Sequence, residues 1–107
     1  ALLAQLPYEE IARLYPSEDL VRVTPNSIGT RTELEAVLAE VREQGYARSQ
    51  EESEEGVSSI AVALQSTRSP RLAVNVAVPT SRMSDQVRRD ILKRLTAAAE
   101  ELDHLLL

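Results

Sequence analysis

Large apolar residues alternate with small residues along two stretches in the second half of the chain, 57–65 and 71–78. Successive side chains of a strand point to opposite faces, so this alternation predicts two strands, which a hairpin loop at 66–70 would join. The large positions are Ile60, Val62 and Leu64, and then Leu72, Val74, Val76 and Val78. The opposite face carries Ser59, Ala61 and Ala63, and then Ala73, Asn75 and Ala77. A sheet face with such short side chains has room for a bound molecule.

Helical spacing marks the segment before these strands. Thr30 and Glu33 have the spacing of a capping box at a helix N-terminus, and Gly45 is well placed as a left-handed C-terminal residue. A strand is predicted to begin directly afterwards, at Tyr46. The apolar positions of this helix follow i, i+3, i+4, i+7: Leu34, Val37, Leu38 and Val41.

Two further helices are predicted at the ends of the chain. A short one follows Pro7 and stops at Pro16, and 16–29 is mostly loop. The residues 1–6 look like the end of a preceding helix. A long final helix over 84–105 begins at Ser81 or Ser84 and has an apolar stripe of Val87, Ile91, Leu95, Ala98, Leu102 and Leu105. The fold class is therefore α/β, more exactly α+β, with an antiparallel sheet flanked by helices.

Composition narrows the class of function. The 107 residues support one domain, and the net charge of −5 is unfavourable for binding the phosphate backbone of DNA. The chain has no cysteine, which excludes a disulfide framework and thiolate chemistry and is compatible with a cytoplasmic location. No apolar run approaches the roughly 20 residues that a membrane span needs. The glycines are isolated and form no phosphate-binding loop, so no cofactor is predicted.

Candidate catalytic groups are few. Glu51 and Glu52 offer paired carboxylates, as general acid–base chemistry requires, but adjacent strand residues face opposite sides and no His, Lys or Cys lies near them in sequence. A solvated turn is the favoured interpretation, and a small enzyme using these carboxylates is an alternative. His104 is the only histidine, and a metal site would need further ligands beside it. Ser58 and Ser59 lack the glycines of a nucleophile elbow.

Asn75 is the single residue that says most about a possible site, because Asn is unfavourable in the middle of a strand. A buried amide must find several hydrogen-bond partners. Two interpretations are open from the pattern alone: an Asn that is packed and bonded to backbone or to buried water, and an Asn that contacts a ligand.

The order of these motifs resembles the effector-binding domain of the isocitrate lyase regulator (IclR) family of bacterial transcription factors. The resemblance rests on Leu34-x3-Leu38-x2-Val41-Arg42-x2-Gly45-Tyr46-Ala47, then Glu51-Glu52-x3-Gly56-Val57-x2-Ile60-Ala61-Val62, then Leu72-Ala73-x5-Pro79 and the final helix. It implies a GAF-like domain of which residues 1–107 are the C-terminal part. The N-terminal strands of that domain and the DNA-binding winged helix-turn-helix would be absent from this chain.

The resemblance also implies a site and its partners. Ser49 falls where acid-sensing members tend to carry Asp, Ser59 matches a position that is often Cys or Ser, and Asn75 and Ala77 match a Ser-x-Ser pair. These four residues would form a neutral, non-catalytic floor for an organic acid or an aromatic effector. The parent protein would be a cytoplasmic homodimer or homotetramer that binds DNA through the missing domain, with no metal, cofactor or membrane partner.

Two interpretations other than an enzyme stand beside this one. The chain would be a GAF-like sensor module of a different signalling protein, or a purely structural dimer domain whose small face is filled by protein.

Overall fold

The computed structural model describes residues 1–52, 54–65 and 71–106, apart from the side chain of Leu106. Three α-helices and three strands are found in these ranges, so the predicted α+β class is confirmed. The predicted hairpin loop at 66–70 lies outside the described residues. The elements are α1 (Tyr8–Leu14), α2 (Arg31–Gln44), β1 (Ala47–Gln50), β2 (Val57–Ala63), β3 (Ala73–Pro79) and α3 (Asp85–Leu106), with short 3-10 turns at Leu3–Gln5 and Thr80–Arg82.

The strands form one antiparallel sheet in the order β1-β2-β3. Both neighbouring pairs run antiparallel, and Ser59 of β2 lies opposite Ser49 of β1 and opposite Ala77 of β3. The predicted alternation along β2 is confirmed, since buried and half-buried residues alternate over its whole length. The N-terminal residues differ from their prediction, because Leu3–Gln5 form a single 3-10 turn.

Helix α3 covers the branched apolar face of the sheet. Ile60, Val62 and Leu64 are buried there together with Leu95 and Ala99 of the helix. The predicted stripe was wrong beyond Leu95, because Ala99 is buried in place of Ala98 and Leu105 is 72% exposed. A helix of 22 residues extends about 33 Å, whereas a strand of seven extends about 23 Å. Helix α3 is therefore longer than the strands on which it packs.

Helix α2 builds a second core with α1 and the N-terminal turn. Its N-terminus is capped as predicted, since the Thr30 hydroxyl accepts a hydrogen bond from the Glu33 amide at 3.1 Å. The Glu33 carboxylate accepts from the Gly29 amide at 3.3 Å instead of completing the box at Thr30. Gly45 ends the helix with φ of 87°, in the predicted left-handed conformation. The buried residues of this core are Ala4, Ile11, Leu34, Leu38 and Val41.

Within the described ranges, none of the helices combines the length and the apolar character that crossing a membrane would require.

We expect Gly45→Ala to lower the free energy of unfolding by about 1 kcal/mol, because a Cβ disfavours the left-handed conformation. No atom lies within 4 Å of the position that a Cβ would take, so steric contact adds nothing to this cost. Gly45→Asn is the matched control, since Asn tolerates this conformation better, and it should cost less. Equilibrium denaturant unfolding measures both. Equal stability of Gly45→Ala and the parent chain would contradict the prediction.

Candidate functional site

The sheet brings the four predicted site residues onto one face. Ser49, Ser59 and Ala77 form a row across the three strands, and Asn75 lies one step along β3, opposite Ala61. Because Ile60 and Val62 point towards α3, their neighbours in β2 point the other way. Ser49 and Ser59 are half-buried, whereas Asn75 and Ala77 are exposed. The face is therefore open to solvent at the end of the sheet that carries these residues.

The other end of this small face is covered by the N-terminal half of the chain. Ala47, which lies opposite Ala61, packs against the core of α2. The Gln5 side chain donates a hydrogen bond to the Leu64 carbonyl at 3.1 Å and so ties the N-terminal turn to the end of β2. The opening is thus bounded beside the row of Ala47 and Ala61, to which Asn75 also belongs. The row of Ser49, Ser59 and Ala77 lies one step further along the strands.

A loop is held against the end of β1 by two buried hydroxyl groups. Thr24 and Ser27 are 8% and 6% exposed. The Thr24 hydroxyl donates to the backbone carbonyls of Glu51 and Glu52, and the Ser27 hydroxyl donates to that of Glu52. The side-chain amide of Asn26 donates a hydrogen bond to the Gln50 carbonyl at 3.3 Å. Sequence reasoning missed this clamp, although its signal was a pair of hydroxyl residues flanking the Pro25-Asn26 turn.

Glu51 and Glu52 have different tasks in this turn. Glu51 has a φ of 56°, and its carboxylate accepts a hydrogen bond from the Gly56 amide at 2.7 Å. That carboxylate therefore stabilises the turn between β1 and β2. Glu52 is half-buried, and its carboxyl group lies close enough to the Ser49 side chain for that side chain to affect its pKa. A carboxyl group thus lies beside the predicted floor, which the sequence had indicated to be neutral.

The environment of Glu52 favours its protonated form. Burial raises the pKa of this carboxyl above its ordinary value of 4.5, and the nearby charge of Glu33 raises it further. The Ser49 side chain acts in the opposite direction and is the smaller effect compared with burial. The net effect is a raised pKa, so ionising the Glu52 carboxyl costs more free energy in the folded chain than it does in water.

A cavity of about 210 Å³ opens between the sheet and the start of α3. Its lining includes Ser49 and Ser59 together with Arg48, Ser58 and Arg88, but neither Asn75 nor Ala77. Arg48 pairs with Ile60 and so belongs to the α3 side of the sheet. This cavity therefore includes two of the four predicted residues, Ser49 and Ser59, and leaves the other two on the open face.

The other candidate groups do not assemble into a reactive site. The Ser58 hydroxyl is buried and shares a hydrogen bond with the Thr80 hydroxyl at 2.8 Å. His104 is exposed near the end of α3. In the part of the chain that the structure describes, no cluster of three His, Cys, Asp or Glu side chains could hold a metal ion.

Comparison with known proteins settles the family. The sequence matches the family model of the bacterial transcriptional regulator IclR C-terminal region over residues 1–104. The chain belongs to the IclR family. The IclR family and the matched relatives are transcriptional regulators rather than enzymes, so the alternative of a small enzyme is set aside. Among these relatives is the HTH-type regulator XynR of Escherichia coli, which is 32% identical over 98% of this chain and 42% of its own length.

Solved structures of IclR-type regulators share this fold. The C-terminal domain of E. coli KdgR has a TM-score of 0.84 and 32% identity, and the alignment covers 96% of this chain and 63% of that one. The inducer-binding domain of an Acinetobacter PobR double mutant, in complex with 3-hydroxybenzoic acid, has a TM-score of 0.83 and 34% identity, covering 97% and 61%. The chain spans 31% to 42% of the length of the curated relatives that it matches.

We expect Thr24→Val to lower the free energy of unfolding by about 1–3 kcal/mol, because it removes the hydroxyl donor of the part-buried Glu51 carbonyl and one of the two hydroxyl donors of the Glu52 carbonyl. Hydrogen exchange of the 50–52 amides should rise in parallel. Thr96→Val is the matched control, since that exposed hydroxyl donates only to the Leu92 carbonyl within α3. It should change stability by less than about 0.5 kcal/mol. Similar losses in both variants would contradict a special role of the clamp.

We expect Glu52→Gln to alter how stability depends on pH. Because folding raises the pKa of Glu52, this carboxyl contributes its full share of the folding stability below pH 4.5. That contribution is lost as the pH rises through the raised pKa. The Gln variant does not undergo this loss. The melting temperature of Glu52→Gln minus that of the parent chain should therefore increase between about pH 4 and pH 7. Glu54→Gln, an exposed carboxyl of the same turn, controls for the removal of surface charge. A constant difference between Glu52→Gln and the parent chain across this range would contradict the assignment.

Proposed function

We propose that residues 1–107 are the C-terminal part of an effector-binding domain, and that a small organic molecule binds against the face formed by Ser49, Ser59, Asn75 and Ala77. The observation that carries the proposal is the strand register, which puts these residues side by side on an open face with short side chains. The proposal follows the family, whose members regulate transcription.

The chemistry of this face suits a small polar or aromatic molecule. Ser59 and Asn75 supply hydrogen-bonding groups that fix orientation, while Ala61 and Ala77 leave flat apolar area for a ring or a carbon chain. The complex of the PobR inducer-binding domain with 3-hydroxybenzoic acid supports an effector of this size, because that domain shares the fold and 34% of the aligned residues.

The same proposal assigns DNA binding to another part of the parent protein. The net charge of −5 gives this chain no electrostatic advantage on DNA. Effector binding would bias the relative orientation of subunits in a cytoplasmic homodimer or homotetramer, and thereby the spacing of DNA-binding domains that precede this region. The exposed side chains of Tyr8, Leu14, Val21 and Val23 provide apolar surface for such assembly.

The test is ligand-dependent melting of the chain in a library of small organic acids and aromatic compounds that includes 3-hydroxybenzoic acid. A compound at 100 times its Kd should add about 2.7 kcal/mol to the free energy of unfolding. Ser59→Leu fills the floor of the face and should abolish the shift. Ser81→Leu, an exposed serine in the turn before α3, is the matched control and should retain it.

Two outcomes would overturn the proposed function. One is a library in which no compound raises the melting temperature. The other is a stabilising compound whose effect persists in Ser59→Leu and disappears in Ser81→Leu.

A further inference from the structure

The cavity between the sheet and the start of α3 carries a net positive charge. Its charged lining residues are Arg48, Arg88 and Asp85, so two cations stand against one anion in a chain whose net charge is −5. Arg48 lies opposite Ile60 in the register, and Ile60 packs under α3, so Arg48 belongs to the helix side of the sheet. A cleft lined by one sign of charge attracts ligands of the opposite sign. The charge therefore favours an anion on the side of the sheet away from the open face.

Arg88 presents unused hydrogen-bond donors to this cavity. Its side chain is only 25% exposed, and an arginine carries five N–H donors. Among the described residues, this guanidinium makes no hydrogen bond, and its one ion pair is with the Asp85 carboxylate at 3.8 Å. Because the Asp85 side chain is 86% exposed, water screens this ion pair and makes it weak. A mostly buried guanidinium with unused donors favours an anionic acceptor beside it.

A hydroxyl proton in the cavity wall also lacks an acceptor. Ser58 and Thr80 both line the cavity, and their hydroxyls share one hydrogen bond at 2.8 Å. Two hydroxyl groups carry two protons, and this bond uses one of them. In residues 1–52, 54–65 and 71–106, neither hydroxyl makes a further hydrogen bond. Ser58 is 4% exposed, and a buried donor without an acceptor costs free energy, which an acceptor oxygen in the cavity would remove.

We propose that this cavity binds a small oxyanion, a carboxylate or a phosphate group, between the Arg88 guanidinium and the hydroxyl pair of Ser58 and Thr80. The planar fork of an arginine matches two oxygens of such a group. The volume of about 210 Å³ lies below the range of about 300–1,000 Å³ that drug-sized ligands occupy, so the ligand is small. This site goes beyond the proposed function, since it lies on the α3 side of the sheet.

The test is a titration of the isotope-labelled chain, followed by the NMR shifts of its backbone amides near neutral pH and at constant ionic strength. The probes are acetate, inorganic phosphate and acetamide, the last being neutral and of the same size as acetate. We expect acetate, phosphate or both to shift the amides of Ser58, Thr80 and Arg88 saturably, and acetamide to leave them unchanged. The anion with the lower Kd identifies which oxyanion the site prefers.

Four variants separate the site from general charge and from folding. Arg88→Gln should raise the Kd of the anion about tenfold or more, because the hydrogen bonds to a charged group are lost. Arg88→Lys keeps the charge without the fork and should fall between Arg88→Gln and the parent chain. Arg89→Gln is the matched control, since it removes the same charge from an exposed neighbour in α3 that does not line the cavity. It should change the Kd by less than about threefold.

Asp85→Asn removes the carboxylate that competes for Arg88, so it should lower the Kd of the anion. A variant that merely loosens the fold would not bind the anion more tightly, so this gain reports the site independently of stability.

The inference is overturned if acetate and phosphate shift the cavity amides no more than acetamide does, or if the Kd is the same in Arg88→Gln and Arg89→Gln. Anion-dependent shifts confined to Asn75 and Ala77 would also overturn it, and they would support the proposed effector face instead. Failure of the library screen leaves this inference standing, because the amides and the arginines that test it lie at the α3 side of the sheet.

Discussion

The packing of α3 on one face of the sheet is the interaction on which the rest of the structure depends. Ile60 and Val62 are buried against Leu95 and Ala99, and this burial decides which way every other residue of the sheet points. A slip of one residue in β2 would bring Ser59 and Ala61 under the helix and expose the branched side chains. The open face therefore exists because the opposite face is covered.

The second constraint is the clamp between the 24–27 loop and the end of β1. Two buried hydroxyl groups satisfy the carbonyls of Glu51 and Glu52, which a turn without these donors would leave unpaired. The clamp joins the helical N-terminal half of the chain to the sheet at the edge of the candidate site. The clamp also affects this edge of the site, because Glu52, whose backbone it holds, has a carboxyl group near Ser49.

Much of the fold was accessible from local patterns. The cap at Thr30, the left-handed Gly45 and the alternation in 57–65 are each set by residues within one turn or strand, and the structure confirms them. The stripe on α3 was less predictable, because Ala98 and Ala99 have the same chemistry and only contact with Leu64 and its neighbours distinguishes them.

The sequence by itself determined the strand alternation and the small character of one sheet face, since these follow from residue type and spacing. The family came from the resemblance of the sequence to the IclR effector-binding domain, which the family match bears out. Only the tertiary structure decided that Ser49, Ser59 and Ala77 form one row, because register links residues distant in the chain. It also decided that Glu52 meets Ser49 while Glu51 binds the Gly56 amide. The two adjacent glutamates are equivalent in sequence. The left-handed backbone conformation at Glu51, with a φ of 56°, gives their side chains different surroundings.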